Sequence, residues 1–173
     1  MIQETINMHK KWTIRRYKDD AAYKAGIPTP VQDPYGNVLP AESMFENNVL
    51  LNEGINNVLG PVLTGIASPT VYDNANANLG VGDSSTSASA SQTGLQGSNT
   101  TFSAMKSGYP TFSSQVATWE AEFGGTEANH SWQEFTVVNA VDDTGDNLNR
   151  KVSDQGTKAS GQTWTLTLEI TFS

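Results

Sequence analysis

The clearest pattern in the chain is the strict alternation of large apolar side chains with threonine and glutamate over residues 162–172. Because successive side chains of a β-strand point to opposite faces, this pattern predicts a strand with one buried face and one face at the solvent or at an interface. The same alternation marks residues 115–123, 132–140 and 148–152 less regularly. The last third of the chain therefore predicts an antiparallel sheet.

Shorter strand patterns precede this region. Residues 11–17 alternate imperfectly and predict a strand with one basic face, and residues 45–51 and 76–82 predict two further strands. Residues 141–147, rich in Asp, Asn and Gly, have the composition of a hairpin turn. Several short strands separated by turns favour a mainly β fold, an antiparallel β-sandwich of the jelly-roll or immunoglobulin-like type.

One segment has the spacing of a helix. Apolar side chains recur at helical intervals between residues 52 and 64, and Asn52 is a suitable N-cap. Gly54, Gly60 and Pro61 oppose a long helix, because Gly and Pro are costly in helix interiors. We therefore expect one short α-helix near residues 52–64, lying across the sandwich or capping one of its ends.

Two segments show neither periodicity. Residues 26–40 are rich in proline and predict an extended arm, and residues 83–100 are mostly small and polar. The second segment predicts an exposed loop that orders only where a partner holds it, since it has too little apolar surface to bury. The expected organisation is a basic strand with a Pro-rich extended arm over residues 1–47, followed by a β-sandwich domain over residues 48–173.

The charge is unevenly distributed. The net charge is −8, yet residues 1–24 contain six basic and three acidic side chains, so this segment is +3 and the rest of the chain is −11. The asymmetry predicts either a basic strand that docks on an acidic surface, including that of a second copy, or a solvated strand that balances its own acidic body. A net negative charge argues against nucleic acid as a partner, because the body would repel phosphate.

Composition also removes several classes of chemistry. The chain has no cysteine, which excludes disulfides, thiol nucleophiles, zinc–thiolate sites and iron–sulfur clusters. No run of about 18 apolar residues predicts a membrane span. The first residues lack the apolar core of a signal peptide, so we expect synthesis in a cytoplasm without secretion by that route.

Candidate catalytic groups have a simpler interpretation. His130 has no nucleophile-elbow context and is expected to be a polar loop residue. Glu120 and Glu122 share a strand face, as a glycosidase acid and base would, but alternation alone explains their spacing. We expect a protein that is not an enzyme and has no cofactor.

Candidate ligand loops are interpreted in the same way. The acidic sequence at residues 142–146 lacks the register and the distal glutamate of a calcium loop and is interpreted as a turn. The oxygen-bearing side chains elsewhere are likewise interpreted as turn formers: Asp73, Asn74, Asn76, Asn78 and Asp83. A calcium or magnesium site in either loop stays open as an alternative. Residues 80–82, Gly-Val-Gly, lack the third glycine and the following helix of a nucleotide fingerprint.

Three groups of residues resemble small structural proteins of tailed bacteriophages, including the first domains of some tail fibres. They are residues 48–56, residues 74–83 with 91–97 (spacing GVGD…QTGLQG), and residues 123–134 (pattern F-x-x-x-E-A-N-x-x-W-x-E). The resemblance covers roughly residues 48–172. It implies a β-rich virion domain without a known catalytic set, and hence a location in the virion.

Three roles follow. The first is a capsid decoration (cement) protein, a small and often trimeric domain that clamps neighbouring major capsid proteins and gains from the many sites of a lattice. The second is a tail, collar or fibre-adaptor protein. The third is a carbohydrate-binding module or hydrolase acting on the host surface, with a cleft lined by the four tryptophans, although three of these lie in strand patterns and are expected in the core.

The expected partners are the major capsid protein or other virion proteins, with neither nucleic acid nor membrane involved. A homo-oligomer, favoured as a trimer, is expected to use residues 84–98. Charge reversal at Arg15 and Arg16 is expected to weaken particle association and leave the fold intact. The residues expected to contact the partner are Lys10, Lys11, Arg15, Arg16, Pro28, Pro30, Pro34 and Tyr35.

Overall fold

The computed structural model describes residues 7–173 and contains two five-stranded antiparallel sheets that face each other. The first sheet has the strand order 4-1-12-9-8, the second has the order 5-11-10-6-7, and strands 2 and 3 form a separate hairpin. The predicted mainly β, antiparallel sandwich is therefore confirmed. The strands are β1 (Met8–Tyr17), β2 (Val31–Gln32), β3 (Val38–Leu39), β4 (Glu42–Glu46), β5 (Val49–Leu50), β6 (Asn78–Gly82), β7 (Thr100–Ala104), β8 (Thr111–Ser113), β9 (Val116–Phe123), β10 (Glu134–Val138), β11 (Asn149–Val152) and β12 (Thr163–Phe172).

The first sheet is organised around β12, the strand with the clearest sequence alternation. It pairs with β1 over ten residues, from Met8 opposite Phe172 to Tyr17 opposite Thr163, and with β9 on its other side. Its apolar residues point into the sandwich, where Leu166 and the neighbouring aliphatic side chains are fully buried. The alternation thus placed the core face correctly.

Aromatic rings fill the space between the sheets. Trp132 packs edge-on against Phe123 and Trp164, with ring centroids 4.9 and 4.8 Å apart, and Trp12 lies 5.9 Å from Phe135. All four tryptophans are buried. Such rings bury large areas and prefer these tilted geometries, so they make up the core and leave no tryptophan for a surface cleft.

The predicted helical region is present but irregular. A π-helical turn, Gly54–Leu59, runs directly into helix α2, Gly60–Thr64. Pro61 stands in the first turn of α2, where its missing N–H costs nothing, and Gly65 ends the helix with a φ of 66°. An earlier helix, α1 (Asp20–Lys24), was not predicted from the sequence. Asp19 caps α1 by accepting a hydrogen bond from Ala22 N at 2.8 Å.

The expected division at residue 47 does not match the sheets. Strand β1 lies between β4 and β12, and its residues Trp12 and Ile14 are fully buried in the shared core. The basic strand is therefore an inner strand of the sandwich and not part of an extended arm. The charges of β1 predicted exposure, but they alternate with Trp12 and Ile14, which lie on the face that packs in the core. Among the described residues, no helix is long and apolar enough to cross a membrane.

Candidate binding surfaces at the two ends of the sandwich

The exposed basic side chains of β1 are already paired with acids. Lys11 and Arg15 lie on the outer face of the first sheet, where Lys11 contacts Glu169 of β12 and Arg15 Nε donates to Glu42 of β4 at 2.7 Å. Lys10 points to the opposite, inner side and is half-buried opposite Ile170. The charges on the outer face therefore neutralise one another in pairs. This favours the prediction that the basic strand balances the acidic remainder of the same molecule.

Arg16 is not a surface residue, and its predicted role in partner contact is wrong. Its side chain is 1% exposed. The guanidinium donates to Pro40 O (3.0 Å), Ser43 Oγ (2.7 Å) and Gln155 O (2.9 Å), and it stacks 4.6 Å from the centre of the Trp164 ring. Burial lowers the pKa of Arg16 to about 10, which leaves it charged at neutral pH. The alternation of strand side chains is the signal that could have found this, because residue 16 lies on the same face of β1 as the buried Trp12.

The proline-rich arm forms a hairpin that packs over one end of the sandwich. Val31 anchors it by burial, and Gln162 Nε2 donates to Gln32 O at 2.7 Å. Of the predicted contact residues, Pro28 is half-buried, whereas Pro30, Pro34 and Tyr35 are exposed. We call this the hairpin end, since β1 finishes and β12 begins beside it.

A buried lysine shapes the loops at the hairpin end. Lys158 is fully buried, and its Nζ donates to Gly124 O at 2.7 Å, Glu127 O at 2.9 Å and Asn129 Oδ1 at 2.8 Å. Burial lowers its pKa to about 8. Three oxygen acceptors suit an ammonium group, so Lys158 holds the loop at residues 124–129 and lies outside any cleft.

An uncharged segment covers the opposite end of the sandwich. Residues 54–72, which include the π-helical turn and α2, contain no charged residue. Val58 and Tyr72 are buried and anchor the segment, whereas Leu63 and Ile66 are 85% and 82% exposed. Exposed apolar groups on an uncharged surface mark a candidate docking site.

The two surfaces lie at opposite ends because β10 runs from one to the other. Trp132, just before β10, packs on Phe123 and Trp164 at the hairpin end. The residues that follow β10 contact the uncharged segment: Asn139 Nδ2 donates to Thr70 O at 2.7 Å, and Asn57 Nδ2 donates to Asp146 Oδ1 at 2.6 Å. The two surfaces therefore lie at opposite ends of the sandwich.

The predicted exposed loop is held by the chain itself. Glu134 and Arg150 are fully buried and form an ion pair of 2.7 Å beneath residues 83–100. The Glu134 carboxylate accepts backbone N–H groups of that loop, from Gln96 at 2.9 Å and from Gly97 at 2.7 Å. The loop needs no partner to order it, because this buried pair supplies the missing anchor. Its use in homo-oligomer contacts stays a prediction, as does the trimer.

Glycines let the chain approach this pair. A Cβ at Gly82 or Gly97 would collide with the Glu134 carboxylate, and one at Gly80 would collide with the Phe102 ring. The Gly-Val-Gly sequence of β6 is thus required by packing against a buried carboxylate and an aromatic ring.

The other acidic and histidine candidates are engaged in local contacts. Glu120 pairs with Lys106 and accepts from Thr167 Oγ1 at 3.2 Å, and His130 Nε2 lies 3.1 Å from Thr101 Oγ1. Asp142 accepts from Thr144 within its turn. Within residues 7–173, no group of three or more His, Asp or Glu side chains is placed to hold a metal ion.

Asp143 provides a pH-dependent contribution to stability. Burial raises the pKa of its carboxyl to about 6, and the carboxylates of Glu134 and Glu53 add to the increase, against the opposing effect of the Leu95 N–H. The folded state thus binds a proton more readily than the unfolded chain. The contribution of Asp143 to the free energy of unfolding is therefore fully present below about pH 4 and is lost as the pH rises through 6.

We therefore expect Asp143→Asn to raise the free energy of unfolding at pH 7.5 by about 1 kcal/mol, since it removes a partly desolvated charge and keeps an acceptor for Leu95 N. Urea unfolding at pH 7.5 and pH 4.5 measures the gain, which should vanish at the lower pH. Asp142→Asn, at the exposed neighbouring position, is the control and should give no gain. Equal gains for Asp143→Asn at both pH values would contradict this account.

The fold defines an antiparallel β-sandwich with a polar hairpin at one end and an uncharged apolar segment at the other. No protein-family model matches the chain, and no curated protein or solved structure matches it significantly.

Proposed function

We propose that this chain is a structural protein of a bacteriophage virion and acts as a capsid decoration (cement) protein. In this role it binds the outer surface of the major capsid lattice through its uncharged segment and stabilises that lattice. The observation that carries the proposal is the exposure of Leu63 and Ile66 on a segment without charge, at one end of a chain whose net charge is −8. Exposed apolar groups on a surface without charge mark interaction sites.

Charge decides which surface docks. Three of the four basic side chains expected to contact an acidic shell are engaged within the molecule: Arg15 pairs with Glu42, Lys11 pairs with Glu169, and Arg16 is buried. The fourth, Lys10, is half-buried. An acidic partner would therefore gain little from them. The uncharged segment brings no repulsion against an acidic surface and offers apolar area instead, which is the composition of an interface core.

The segment is also held firmly enough to act as a docking element. Trp119 Nε1 donates to Tyr72 O at 2.9 Å, and Asn139 Nδ2 donates to Thr70 O. Because a strand and a loop both hold the segment, less conformational entropy is lost when it binds a partner. A lattice multiplies a modest contact of this kind, because many sites are presented together.

The virion assignment rests on the resemblance of residues 48–56, 74–83 with 91–97, and 123–134 to phage virion proteins. Two of these groups meet in the fold at the Glu134–Arg150 pair, where Gly82, Gln96 and Gly97 contact the carboxylate. These contacts make residues that are distant in the chain part of one packing unit.

The proposal is tested by counting copies of the chain in purified particles. A particle should contain on the order of hundreds of copies of a decoration protein, since each lattice position offers a site. About a dozen copies or fewer would instead indicate the tail, collar or fibre-adaptor role, because those structures have low rotational symmetry. Particles that contain none would show that the proposal is wrong.

A double variant, Leu63→Asp with Ile66→Asp, tests the surface. We expect its occupancy on particles to fall at least about tenfold, because two carboxylates would be desolvated in an apolar contact. Quantitative gel analysis of particles incubated with purified protein measures the occupancy. Val38→Asp, which places a carboxylate at an exposed apolar position of the hairpin end, is the matched control and should retain full occupancy. Unchanged occupancy of the double variant would rule out this docking surface.

A further inference from the structure

A cleft of about 580 Å³ lies at the hairpin end, between the β2–β3 hairpin and the loops at residues 131–133 and 154–157. Most groups that line it are hydroxyls, amides or carboxylates. Pockets for apolar ligands are lined mainly by hydrophobic and aromatic side chains, so this lining favours a ligand with many hydroxyl groups. The polar lining residues include Asp33, Asn37, Ser43, Ser131, Gln133 and Asp154.

We propose that this cleft binds a neutral saccharide, with Tyr35 as the ring on which a sugar stacks. Tyr35 lines the cleft and is 81% exposed, so its ring is accessible to a ligand, whereas all four tryptophans are buried. A sugar ring has one face of C–H groups that packs on an aromatic face, and its hydroxyls need planar polar partners at the edge. The cleft supplies both.

The Tyr35 ring is carried on a rigid turn. Tyr35 N donates to Asp33 Oδ1 at 2.9 Å, and Asn37 donates to the same carboxylate through its backbone N and its side chain, each at 2.8 Å. These hydrogen bonds lower the pKa of Asp33, so it stays ionised and keeps the turn closed. Pro34 limits the backbone further. A preorganised platform loses little entropy when a ligand stacks on it.

Polar groups on the facing loops are also held in place. Gln133 Nε2 donates to Ser131 Oγ at 3.2 Å, and Gly156 N donates to Asp154 Oδ1 at 3.0 Å. The second oxygen of Asp154 accepts no hydrogen bond from residues 7–173 within these distances and can accept one from a sugar hydroxyl. These planar groups present fixed hydrogen-bonding positions opposite Tyr35.

Charge selects a neutral ligand over an anion. The cleft contains one cation, the buried Arg16, and two carboxylates, Asp33 and Asp154. Arg16 donates to Pro40 O, Ser43 Oγ and Gln155 O at the floor of the cleft, and its Nε is buried, so a phosphate or carboxylate would face two acids without an accessible cation. A neutral sugar avoids this repulsion. The inference depends on the cleft alone and not on the proposed virion role.

The test uses the purified full chain and tetrasaccharides of glucose, galactose, mannose and N-acetylglucosamine, titrated to about 10 mM by calorimetry. We expect at least one of them to bind. Tyr35→Ala should weaken that binding at least about tenfold, whereas Tyr35→Phe, which keeps the ring, should retain it within about threefold. Phe112→Ala removes an exposed aromatic ring on β8, outside the cleft, and should leave binding unchanged.

Two results would overturn the proposal. The first is that none of the four tetrasaccharides binds at this concentration. The second is that one of them binds but Tyr35→Ala has no effect, which would place the sugar elsewhere. If no sugar binds and Tyr35→Ala lowers occupancy on particles, the cleft receives a protein segment instead. The Leu63→Asp, Ile66→Asp variant should bind sugar normally, so failure of the docking proposal and failure of this one are distinguishable.

Discussion

Replacing Glu134 by glutamine is expected to lower the free energy of unfolding by about 3–5 kcal/mol, because it leaves the charge of Arg150 buried without its partner. Both side chains are fully buried, and Arg150 Nε donates to Glu134 Oε2 at 2.7 Å. Total stabilities of natural domains are about 5–15 kcal/mol, so this single change removes a large share.

The effect should extend to the loop above the pair. The Glu134 carboxylate accepts the N–H groups of Gln96 and Gly97, and Arg150 Nη1 donates to Thr86 O at 2.9 Å and to Gln92 Oε1 at 3.0 Å. With the carboxylate neutralised, these backbone groups lose a charge-assisted acceptor. Residues 84–98 are therefore expected to be cleaved by proteases faster than in the unmodified chain.

Guanidinium unfolding and limited proteolysis measure the two effects. Glu169→Gln is the matched control, since it breaks the partly exposed pair with Lys11 and should cost at most about 1 kcal/mol. If Glu134→Gln cost no more than this control and the loop kept its protection, the buried pair would not be what orders residues 84–98.

Charge reversal should reduce stability much more at one of the two adjacent arginines of β1 than at the other. Arg16→Glu is expected to prevent folding or to lower the free energy of unfolding by more than about 3 kcal/mol, since it places a carboxylate against three oxygen acceptors in a buried site. Arg15→Glu lies on the exposed face and should cost about 1 kcal/mol, from the lost pair with Glu42. The expectation that charge reversal leaves the fold intact is therefore kept for Arg15 and withdrawn for the buried Arg16.

Arg16→Met keeps the test informative if Arg16→Glu fails to fold. Methionine retains the aliphatic stem but leaves Pro40 O, Ser43 Oγ and Gln155 O without their donor, so the loss should still exceed about 2 kcal/mol. Thermal and urea unfolding of the three variants give the comparison. Similar stabilities for the Arg15 and Arg16 variants would contradict the buried position of Arg16.

Local sequence pattern was sufficient for the long strands but not for all of them, since β7 and β8 were not predicted and the strand expected at residues 45–51 is divided between β4 and β5. The alternation in residues 162–172 and 115–123 predicted β12 and β9 within a residue or two, since a strand exposes its side chains with a period of two whatever it pairs with. Helical spacing likewise located the turn and helix between residues 54 and 64. Helix α1 has only five residues and no buried side chain, so it carries no apolar stripe to detect.

The sequence predicted one side of the candidate cleft and not the other. Tyr35 was expected at an exposed contact site, and the proline and glycine around it predicted a turn. Its partners Gln133 and Asp154 are about a hundred residues away and show no motif. The hairpin meets them because Gln162 holds Gln32 and because Gly156 packs against Leu39. No local signal reports contacts of that range.

The sequence by itself determined the antiparallel β class, the core face of most strands and the lack of charge in residues 54–72, because each is a property of neighbouring positions. Only the tertiary structure decided which charges are buried and what holds the low-complexity loop. Arg16 donates to Gln155 O, 139 residues away along the chain, and Glu134 meets Arg150 on the neighbouring strand of the same sheet. A charge in a sequence predicts exposure until the fold surrounds it with acceptors, and that depends on the register of strands distant in the chain.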